Sequence, residues 1–478
     1  MRKYLFITYG ATGWRGVQVR AIRMAQYLPK DEVIFWNCYD SRFIQDAGFM
    51  VETKDPGITL SSQIEFPEEV EMVIFSDLPT NEFFNYAVYN EAIKKGLKIV
   101  ICEQIYRRGQ MQETVYKKFA ENSDLFLLNA LSFFKTEETE NIKVVPPQIE
   151  ISFDQNTRIE MCQKYQLDNK AIIIYGVGYH EKILEKIKNI NKKLSEKKLN
   201  FHIVVTGSKD LTSTQKEGKL VILPFNIGDD FFKLLYSSDL VLTKFGFLQI
   251  LEALALKKPT VVLGAGGFTL KTPEKIDEIL KETVRFDLEI TNETVNYFEK
   301  FIQDQKFRNE IIEKVSKLHD GQLHGGKMAA EELKKLIGKI PVPKKQYKKR
   351  VAILVNNEIK EKETWLKQNQ DVLPLCFITG MPTENSSNKR IPEELLTSNV
   401  RDLNTKWPEE ILPHSFKQIY LFSERRLDGF TDIYPWYETW VSQIESLIKS
   451  ADEVYLTSQG KEILSSLVMM KQEKIRDF

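Results

Sequence analysis

The chain has 478 residues, of which 42% are hydrophobic and 28% are charged. These values are typical of a globular protein of about three domains and exclude a wholly disordered chain. The 67 basic residues equal the 67 acidic ones, which argues against a globally basic nucleic-acid-binding protein. No apolar run approaches the roughly 18 residues of a membrane-spanning helix. The four cysteines lie far apart and the five histidines lack metal spacing, so we expect no disulfide framework, no metal site and a cytoplasmic protein.

In the first part of the chain, short apolar runs alternate with amphipathic stretches such as VQVRAIRMAQYL. The runs begin at Tyr4, Val33, Met72, Lys98 and Asp124. Their apolar residues are consecutive and do not alternate with polar ones, as in strands buried on both faces of a parallel sheet. This part of the sequence therefore predicts a doubly wound α/β domain.

The same pattern restarts at Ala171 and continues with runs at Phe201, Lys219, Asp239 and Pro259. The proline- and lysine-rich stretch KIPVPKKQYKKR follows, which lacks apolar periodicity and indicates a linker. Beyond it, VAILVNN begins a shorter α/β segment. We expect an α/β protein of two Rossmann-like parallel-sheet domains facing a cleft and a smaller C-terminal α/β domain. The predicted boundaries are 1–165 for the N-terminal, acceptor-side domain, 166–340 for the second domain, 341–350 for the linker and 351–478 for the C-terminal domain.

A glycine-rich turn, GATGWRG, follows the first strand and opens the first helix, with Arg15 between Gly13 and Gly16. Starting from Gly10, it is similar to the dinucleotide turn of short-chain dehydrogenases, and Asp40 could then bind the ribose. Such enzymes need a tyrosine with lysine four residues later, and none of the 18 tyrosines has one. The turn either binds no ligand or, as we prefer, faces an interdomain cleft on the acceptor side.

The most specific pattern lies in DLVLTKFGFLQILEALALKKPTVVLGAGG, which predicts strand, glycine turn, helix and strand. Gly246 opens the helix, where free N–H groups can hold a phosphate. Glu252 falls inside an otherwise apolar helix, and a carboxylate buried there needs partners. Two ribose hydroxyls would serve as donors. The alternatives are a solvated glutamate and a pair with Lys257.

At this point the chain resembles the GT-B glycosyltransferases, especially the group of the peptidoglycan UDP-N-acetylglucosamine transferase (glycosyltransferase family 28-like). Lys244, Gly246, Phe247, Glu252 and Pro259 match that group's motif in order. The resemblance covers about residues 1 to 340. It implies a nucleoside-diphosphate donor, most simply UDP-linked, and it says nothing of the acceptor.

Other segments extend the resemblance. YGVGYH is similar to the family's glycine loop beside the donor diphosphate, TGS fills a comparable strand end, and the segment around Phe225 looks like the one that contacts the base. The resemblance thus implies donor-binding roles for Gly176, Gly178, Tyr179, Gly207, Phe225, Asn226, Lys244, Gly246, Phe247, Gln249 and Glu252.

Four departures from the family pattern affect this interpretation. Gln249 stands where the family has a hydroxyl residue on the phosphate, although its amide can still donate a hydrogen bond. Lys257 replaces a glycine. In the family's G-H-x-x-R string, Val17 occupies the histidine position and only Arg20 matches. The family's glutamine–asparagine pair that contacts the donor sugar has no clean counterpart.

Two residues are candidates for the catalytic base. Glu103 follows the fourth predicted strand, whose end should face the cleft, although it could instead pair with Arg107 or Arg108. His180 ends the YGVGYH loop, where it could contact phosphate or simply cap the loop.

The favoured interpretation is a metal-independent transferase that takes a UDP-sugar as substrate and uses no cofactor. Its acceptor would be a glycan, a lipid-linked sugar or another molecule, with at most peripheral membrane contact and no nucleic acid. A nucleotide-sugar hydrolase or epimerase on the same fold is one alternative. A non-catalytic sugar-nucleotide-binding or scaffold protein is the other, and the departures at Val17 and Gln249 favour it.

Overall fold

The computed structural model describes most of the first 344 residues and four short segments beyond them. The described ranges are 3–8, 15–38, 41–55, 61–79, 83–104, 119–132, 138–168, 171–176, 181–208, 211–224, 228–243, 247–263, 283–287, 290–344, 350–355, 375–379, 453–456 and 475–477.

The first sheet contains seven parallel strands in the order β3-β2-β1-β4-β5-β6-β7. Every residue of β1, β2, β4 and β6 is buried, as the unalternating apolar runs predict for strands covered on both faces. The strands are β1 (Tyr4–Thr8), β2 (Val33–Asn37), β3 (Met50–Thr53), β4 (Met72–Phe75), β5 (Lys98–Gln104), β6 (Leu125–Asn129) and β7 (Ile142–Val145).

In the described part of the chain, helices α1 (Arg15–Ala25), α2 (Arg42–Asp46) and α3 (Phe83–Lys94) lie between these strands. Helix α1 places Ala21 and Met24 in the hydrophobic core on one face of the sheet. These residues recur every three or four positions, so one stripe of the helix is buried.

The second sheet also contains seven strands, in the order β10-β11-β9-β8-β12-β13-β14. All neighbouring pairs are parallel except β10 with β11. The strands are β8 (Ala171–Tyr175), β9 (Phe201–Ser208), β10 (Gln215–Glu217), β11 (Leu220–Pro224), β12 (Leu240–Thr243), β13 (Thr260–Leu263) and β14 (Val284–Asp287).

Helices of this second part are α4 (Thr157–Tyr165), α5 (Glu181–Glu196), α6 (Asp230–Ser237), α7 (Phe247–Ala255), α8 (Asn292–Gln303) and α9 (Gln305–Ser316). Helix α4 is fixed to the second sheet because Arg158 donates to Asp239 from both terminal nitrogens, at 3.2 and 2.9 Å. Asp239 in turn accepts the Ile172 N–H of β8 at 2.8 Å. Asp239 therefore connects α4, through a bidentate ion pair, to the backbone of β8.

The chain then returns to the first sheet through α10 (Gly325–Leu336). Ala329, Ala330 and Leu333 of this helix lie in the same hydrophobic core as β1 and α1. Small residues bring α10 close, since a Cβ built on Gly325 would overlap the Pro146 carbonyl oxygen. The last helix before the linker is therefore packed on the N-terminal part of the chain.

Beyond the linker, four described strands form a third, parallel sheet in the order β16-β15-β17-β18. They are β15 (Arg350–Val355), β16 (Leu375–Thr379), β17 (Glu453–Leu456) and β18 (Ile475–Asp477). Among the residues that the structure describes, no helix is long and apolar enough to cross a membrane.

The predicted fold class is confirmed, since two parallel-dominated sheets of seven strands each alternate with helices. The strands missed from the sequence include β3, β7 and β10, each of four residues or fewer and exposed or half-buried over most of its length. Such edge strands carry no long apolar run to reveal them. The domain boundaries themselves stay predictions.

Candidate functional site

The two large sheets each contain a point at which the strand order reverses. In the first sheet it lies between β1 and β4, and in the second between β8 and β12. Ligands of open α/β sheets bind at the carboxyl ends of such strand pairs. Helices α1 and α7 face each other across the domain boundary, because a Cβ built on Gly16 would contact Leu248 at 3.8 Å. The candidate site therefore lies where the two domains meet.

Gly176, directly after β8, is the one predicted donor-loop residue with a described structural constraint. A Cβ built on it would overlap Gln249 Nε2 and lie 3.0 Å from Phe231 Cε2. Only glycine leaves room for the Gln249 side chain to approach the backbone this closely. The structure thus brings together two of the residues that the sequence assigned to the donor.

The Gln249 amide is oriented by β12. Its Oε1 atom accepts a hydrogen bond from Thr243 Oγ1 at 2.8 Å, which turns Nε2 toward Gly176. The residue is 5% exposed, and Nε2 has no hydrogen-bond partner among the described residues. A buried N–H group without a partner is costly. A ligand oxygen at the end of β8 would satisfy it.

Glu252 is neither solvated nor paired with Lys257, so both alternatives drawn from the sequence are wrong. It is 3% exposed, and its Oε1 atom accepts a hydrogen bond from Arg23 Nη1 of α1 at 2.6 Å. Burial raises the pKa of this carboxyl group, and the Arg23 charge opposes that rise. Glu252 therefore joins the two domains through a buried ion pair.

Arg23 is held from more than one side. Its guanidinium lies over the Phe232 ring of α6, 4.5 Å from the centroid, a geometry favourable for a cation–π contact. Its backbone oxygen faces Gly326 of α10 so closely that a Cβ there would overlap it. Arg23 was not identified from the sequence, because its partner lies 229 positions away and no local pattern marks a charge that will pair at that distance.

Glu103, a candidate base, lies on β5 and is fully buried. Its Oε2 atom accepts the Leu78 N–H at 3.3 Å. Because Cys102 belongs to the core beneath α1, strand alternation directs Glu103 to the opposite face of the sheet. The predicted pairs with Arg107 or Arg108 lie outside the described residues.

The remaining predicted positions fall into three groups. Gly207 lies on β9 with a φ of 92°, a conformation that favours glycine. Arg15 and Phe247 are the first residues of α1 and α7, where only their backbone is described. Outside the described residues lie Gly10, Gly13, Gly178, Tyr179, His180, Phe225, Asn226, Lys244 and Gly246.

No cluster of three or more His, Cys, Asp or Glu side chains suited to a metal ion occurs within the described ranges. This finding concerns those residues alone, and metal independence stays a prediction.

No protein-family model matches the chain, and no curated protein sequence matches it. Solved structures do. The calicheamicin glycosyltransferase CalG4 matches with a TM-score of 0.50 and 12% identity over 71% of this chain and 99% of that one. MnaA of S. aureus, solved with UDP, matches with a TM-score of 0.47 and 16% identity over 70% of this chain and 96% of that one. HepE of Anabaena, solved with UDP-glucose, matches with a TM-score of 0.45 and 14% identity over 70% of this chain and 100% of that one. At this identity the likeness to CalG4 shows the fold alone, and it confirms the predicted GT-B architecture.

Proposed function

We propose that the chain is a glycosyltransferase that moves a sugar from a nucleoside-diphosphate donor, UDP-linked by the sequence resemblance, to an acceptor. The observation that carries this proposal is the Gln249 amide, which is buried and oriented by Thr243, and whose Nε2 atom has no hydrogen-bond partner among the described residues. It stands beside Gly176 at the reversal point of the second sheet. The diphosphate of a donor would supply the missing acceptor oxygen there.

The proposed donor site stabilises the charge that develops on the departing diphosphate. Helix α7 begins at Phe247, so its N-terminal N–H groups and dipole lie near the Gln249 amide. Preorganised donors of this kind favour the transition state over the ground state. The chemistry thus needs no residue to move a proton at the leaving group.

Glu252 is proposed to bind the donor ribose while it holds Arg23. Arg23 occupies Oε1, and no hydrogen bond to Oε2 occurs within the described part of the chain. A carboxylate has about four acceptor positions, so one group can accept from both a guanidinium and a ribose hydroxyl. Donor binding and domain contact would then share this carboxylate.

The name of CalG4 supports glycosyl transfer as the activity for this fold. Epimerization and hydrolysis of the donor are the alternatives within the same fold, and UDP binding without turnover is the third possibility. Val17, which holds the position of the family's histidine, is 7% exposed and offers no base. The reaction therefore has to be identified by its products.

The test is to incubate the protein with a panel of UDP-sugars, with and without candidate acceptors, and to measure free UDP and the recovered sugar. Acceptor-dependent UDP release supports transfer. UDP release without acceptor, or a changed donor sugar, identifies a hydrolase or an epimerase and overturns the proposal, as does binding with no turnover.

Gln249→Ala should weaken UDP binding by roughly 10- to 100-fold, the scale of a hydrogen bond to a charged group. The matched control is Gln305→Ala, since Gln305 bonds Asn309 on an exposed face of α9. Calorimetry should show unchanged UDP affinity for the control. Equal affinity in both variants would remove Gln249 from the donor site.

A further inference from the structure

Arg20 of α1 is a buried cation that the described structure leaves without a partner. It is 2% exposed, and its Nε and Nη1 atoms form no hydrogen bond with any described residue. No ion pair of Arg20 occurs among those residues either. Arginine stays protonated inside proteins, so it cannot avoid the cost of burial by losing its proton. A buried guanidinium of this kind needs an anion.

The position of Arg20 follows from the packing of α1. The helix buries Val17 and Met24 on either side of Arg20 in the same stripe, and Met24 contacts the Cys102 thiol of β5 at 3.6 Å. Long helical side chains lean toward the helix N-terminus, which here lies at the carboxyl edge of the sheet. Burial raises the pKa of Cys102 to about 12, and the nearby Arg20 charge acts in the opposite direction.

Two further buried polar side chains without partners flank this position. Between β4 and β5, Phe75 pairs with Ile101, so the next residue, Ser76, lies beside Cys102. Between β5 and β6, Asn129 pairs with Gln104, which is two residues after Cys102 on β5. Met72, Ile74, Leu125 and Leu127 all belong to the core beneath α1. Strand alternation therefore directs Ser76 and Asn129 to the same face as Arg20.

The chain provides these three groups with no acceptor in its described part. Ser76 is fully buried and Asn129 is 2% exposed, yet the Ser76 hydroxyl and both Asn129 amide atoms form no hydrogen bond with described residues. The carboxylate of Glu103, on the same strand as Cys102, belongs to the other face and accepts from Leu78. A guanidinium, a hydroxyl and a carboxamide together present donors suited to an oxyanion.

We propose that Arg20, Ser76 and Asn129 form a site for an oxyanionic group, a carboxylate or a phosphate, and that this group belongs to the acceptor. The identification as acceptor rests on the proposed transferase function, because the donor diphosphate is proposed at Gly176 and Gln249 in the other domain. The acceptor-side site lies at the carboxyl edge of β4, β5 and β6, next to the reversal point of the first sheet. The enzyme would accordingly select negatively charged acceptors.

The experiment uses the full chain saturated with UDP, so that a probe cannot report on the donor site. Inorganic phosphate, glucose 6-phosphate, glucuronate and uncharged glucose are titrated by calorimetry. We expect at least one anionic probe to bind and glucose to bind much more weakly. Binding of glucuronate alone identifies a carboxylate group, and binding of the two phosphate probes identifies a phosphate group. Equal binding of glucose and the anions, or no binding of any anion, overturns the proposal.

Arg20→Met should weaken the anion that binds by about thirtyfold or more, since it removes the buried charge. Asn129→Leu should weaken it less, and Arg20→Lys should restore part of the affinity. The matched control is Arg285→Met, whose guanidinium lies over Tyr297 in the second domain and should bind the anion as the unmodified chain does. If Arg20→Met does not fold, Asn129→Leu and Ser76→Ala provide the same comparison. Unchanged anion affinity in the folded variants overturns the site.

The two proposals fail separately. Without bound UDP, anion binding that depends on Arg20 supports the anion site even if no UDP-sugar turns over. In that case only the identification of the anion as part of the acceptor is overturned. UDP-sugar turnover with acceptors whose rate is indifferent to acceptor charge and to Arg20 leaves the transferase in place and overturns the anion site.

Discussion

The Glu252 carboxylate lies between the two domains, where Arg23 holds one of its oxygens at 2.6 Å. The Arg23 side chain is 12% exposed and the Glu252 side chain 4% exposed. Removing one member of a buried pair leaves the other as an uncompensated charge, which costs more than the pair itself contributes. A residue assigned to the donor from sequence thus also stabilises the fold.

Glu252→Ala is therefore expected to lower the free energy of unfolding by about 3–5 kcal/mol, as well as to weaken UDP binding. The double variant Arg23→Met/Glu252→Gln should recover much of the lost stability, because neither buried charge remains. Urea unfolding measures the first effect and calorimetry with UDP the second. If the stability loss in the double variant equals the sum of the losses in Arg23→Met and Glu252→Gln alone, the pair is not energetically coupled. Unchanged UDP affinity in a folded Glu252 variant would exclude a ribose contact.

Gly176 provides a second test at the scale of one residue. Gly176→Ala forces Gln249 Nε2 away from the end of β8, since the added Cβ overlaps it. We expect UDP affinity to fall by at least about tenfold, through loss of one hydrogen bond to a charged group. In Gly176→Ala/Gln249→Ala the overlap is gone, so the melting temperature should return toward the original while UDP binding stays weak. Full UDP affinity in Gly176→Ala would contradict the donor loop.

At the scale of elements, the linker after α10 is attached to the first sheet. The Val342 N–H donates to Asp124 Oδ1 at 2.6 Å, and Lys344 Nζ lies 2.7 Å from Asp124 Oδ2. Both charged side chains are buried, at 4% and 3% exposure. Asp124 also accepts the Ile99 N–H of β5 at 2.7 Å. The start of the linker thus completes the N-terminal domain.

A chain ending at Ile340 should consequently melt at a lower temperature than one ending at Arg350, because only the longer chain keeps the Asp124 contacts. The free energies of unfolding of the two chains should differ by about 3–5 kcal/mol, the cost of leaving a buried charge unpaired. Both chains should bind UDP within a few-fold of each other, since the predicted donor motifs precede Gly338.

The matched controls for this truncation are two single substitutions in the full chain. Lys344→Met should reproduce much of the loss. Lys317→Met should change stability little, because Lys317 pairs with Glu313 at 3.0 Å on a surface where both are 71% exposed. Equal melting temperatures for the two truncated chains would show that the linker start contributes nothing to the fold.

At the scale of the whole molecule, the segment before α10 ties the second half of the chain to the end of β6. His319 is 4% exposed, and its Nδ1 atom accepts the Ser132 N–H at 3.2 Å, while Nε2 bonds the Gln322 carbonyl. This arrangement requires an unprotonated Nδ1. Burial lowers the pKa of His319 below its ordinary value of 6.5, the Gln322 carbonyl and Asp320 oppose that shift, and Lys257 adds to it.

Stability should therefore fall as the pH drops below about 6.5. In that window the unfolded chain binds a proton at His319 that the folded chain does not. The contribution of unprotonated His319 to the free energy of unfolding is therefore fully present above pH 6.5 and is lost as the pH falls through the pKa of the folded state. The loss is about 1.4 kcal/mol for each unit of difference between the two pKa values. His319→Gln should flatten the dependence of urea unfolding on pH below about 6.5. The same slope in both proteins would exclude His319 as its source.

The sequence by itself determined the α/β class, most strands of both large sheets and the strand–helix–strand order around Glu252. It could do so because strands buried on both faces carry unbroken apolar runs, and because a glutamate inside an apolar helix is conspicuous. These are local signals, read within one element and its flanking turns.

Only the tertiary structure decided that Arg23 meets Glu252, that α10 packs on the first core and that Arg20, Ser76 and Asn129 come to one face of one sheet edge. Each of these facts joins elements that are distant along the chain, and Arg23 and Glu252 lie 229 positions apart. Periodicity states which face of an element is buried but not which other element covers it. The pairing of buried charges depends on that choice, so it is settled by packing.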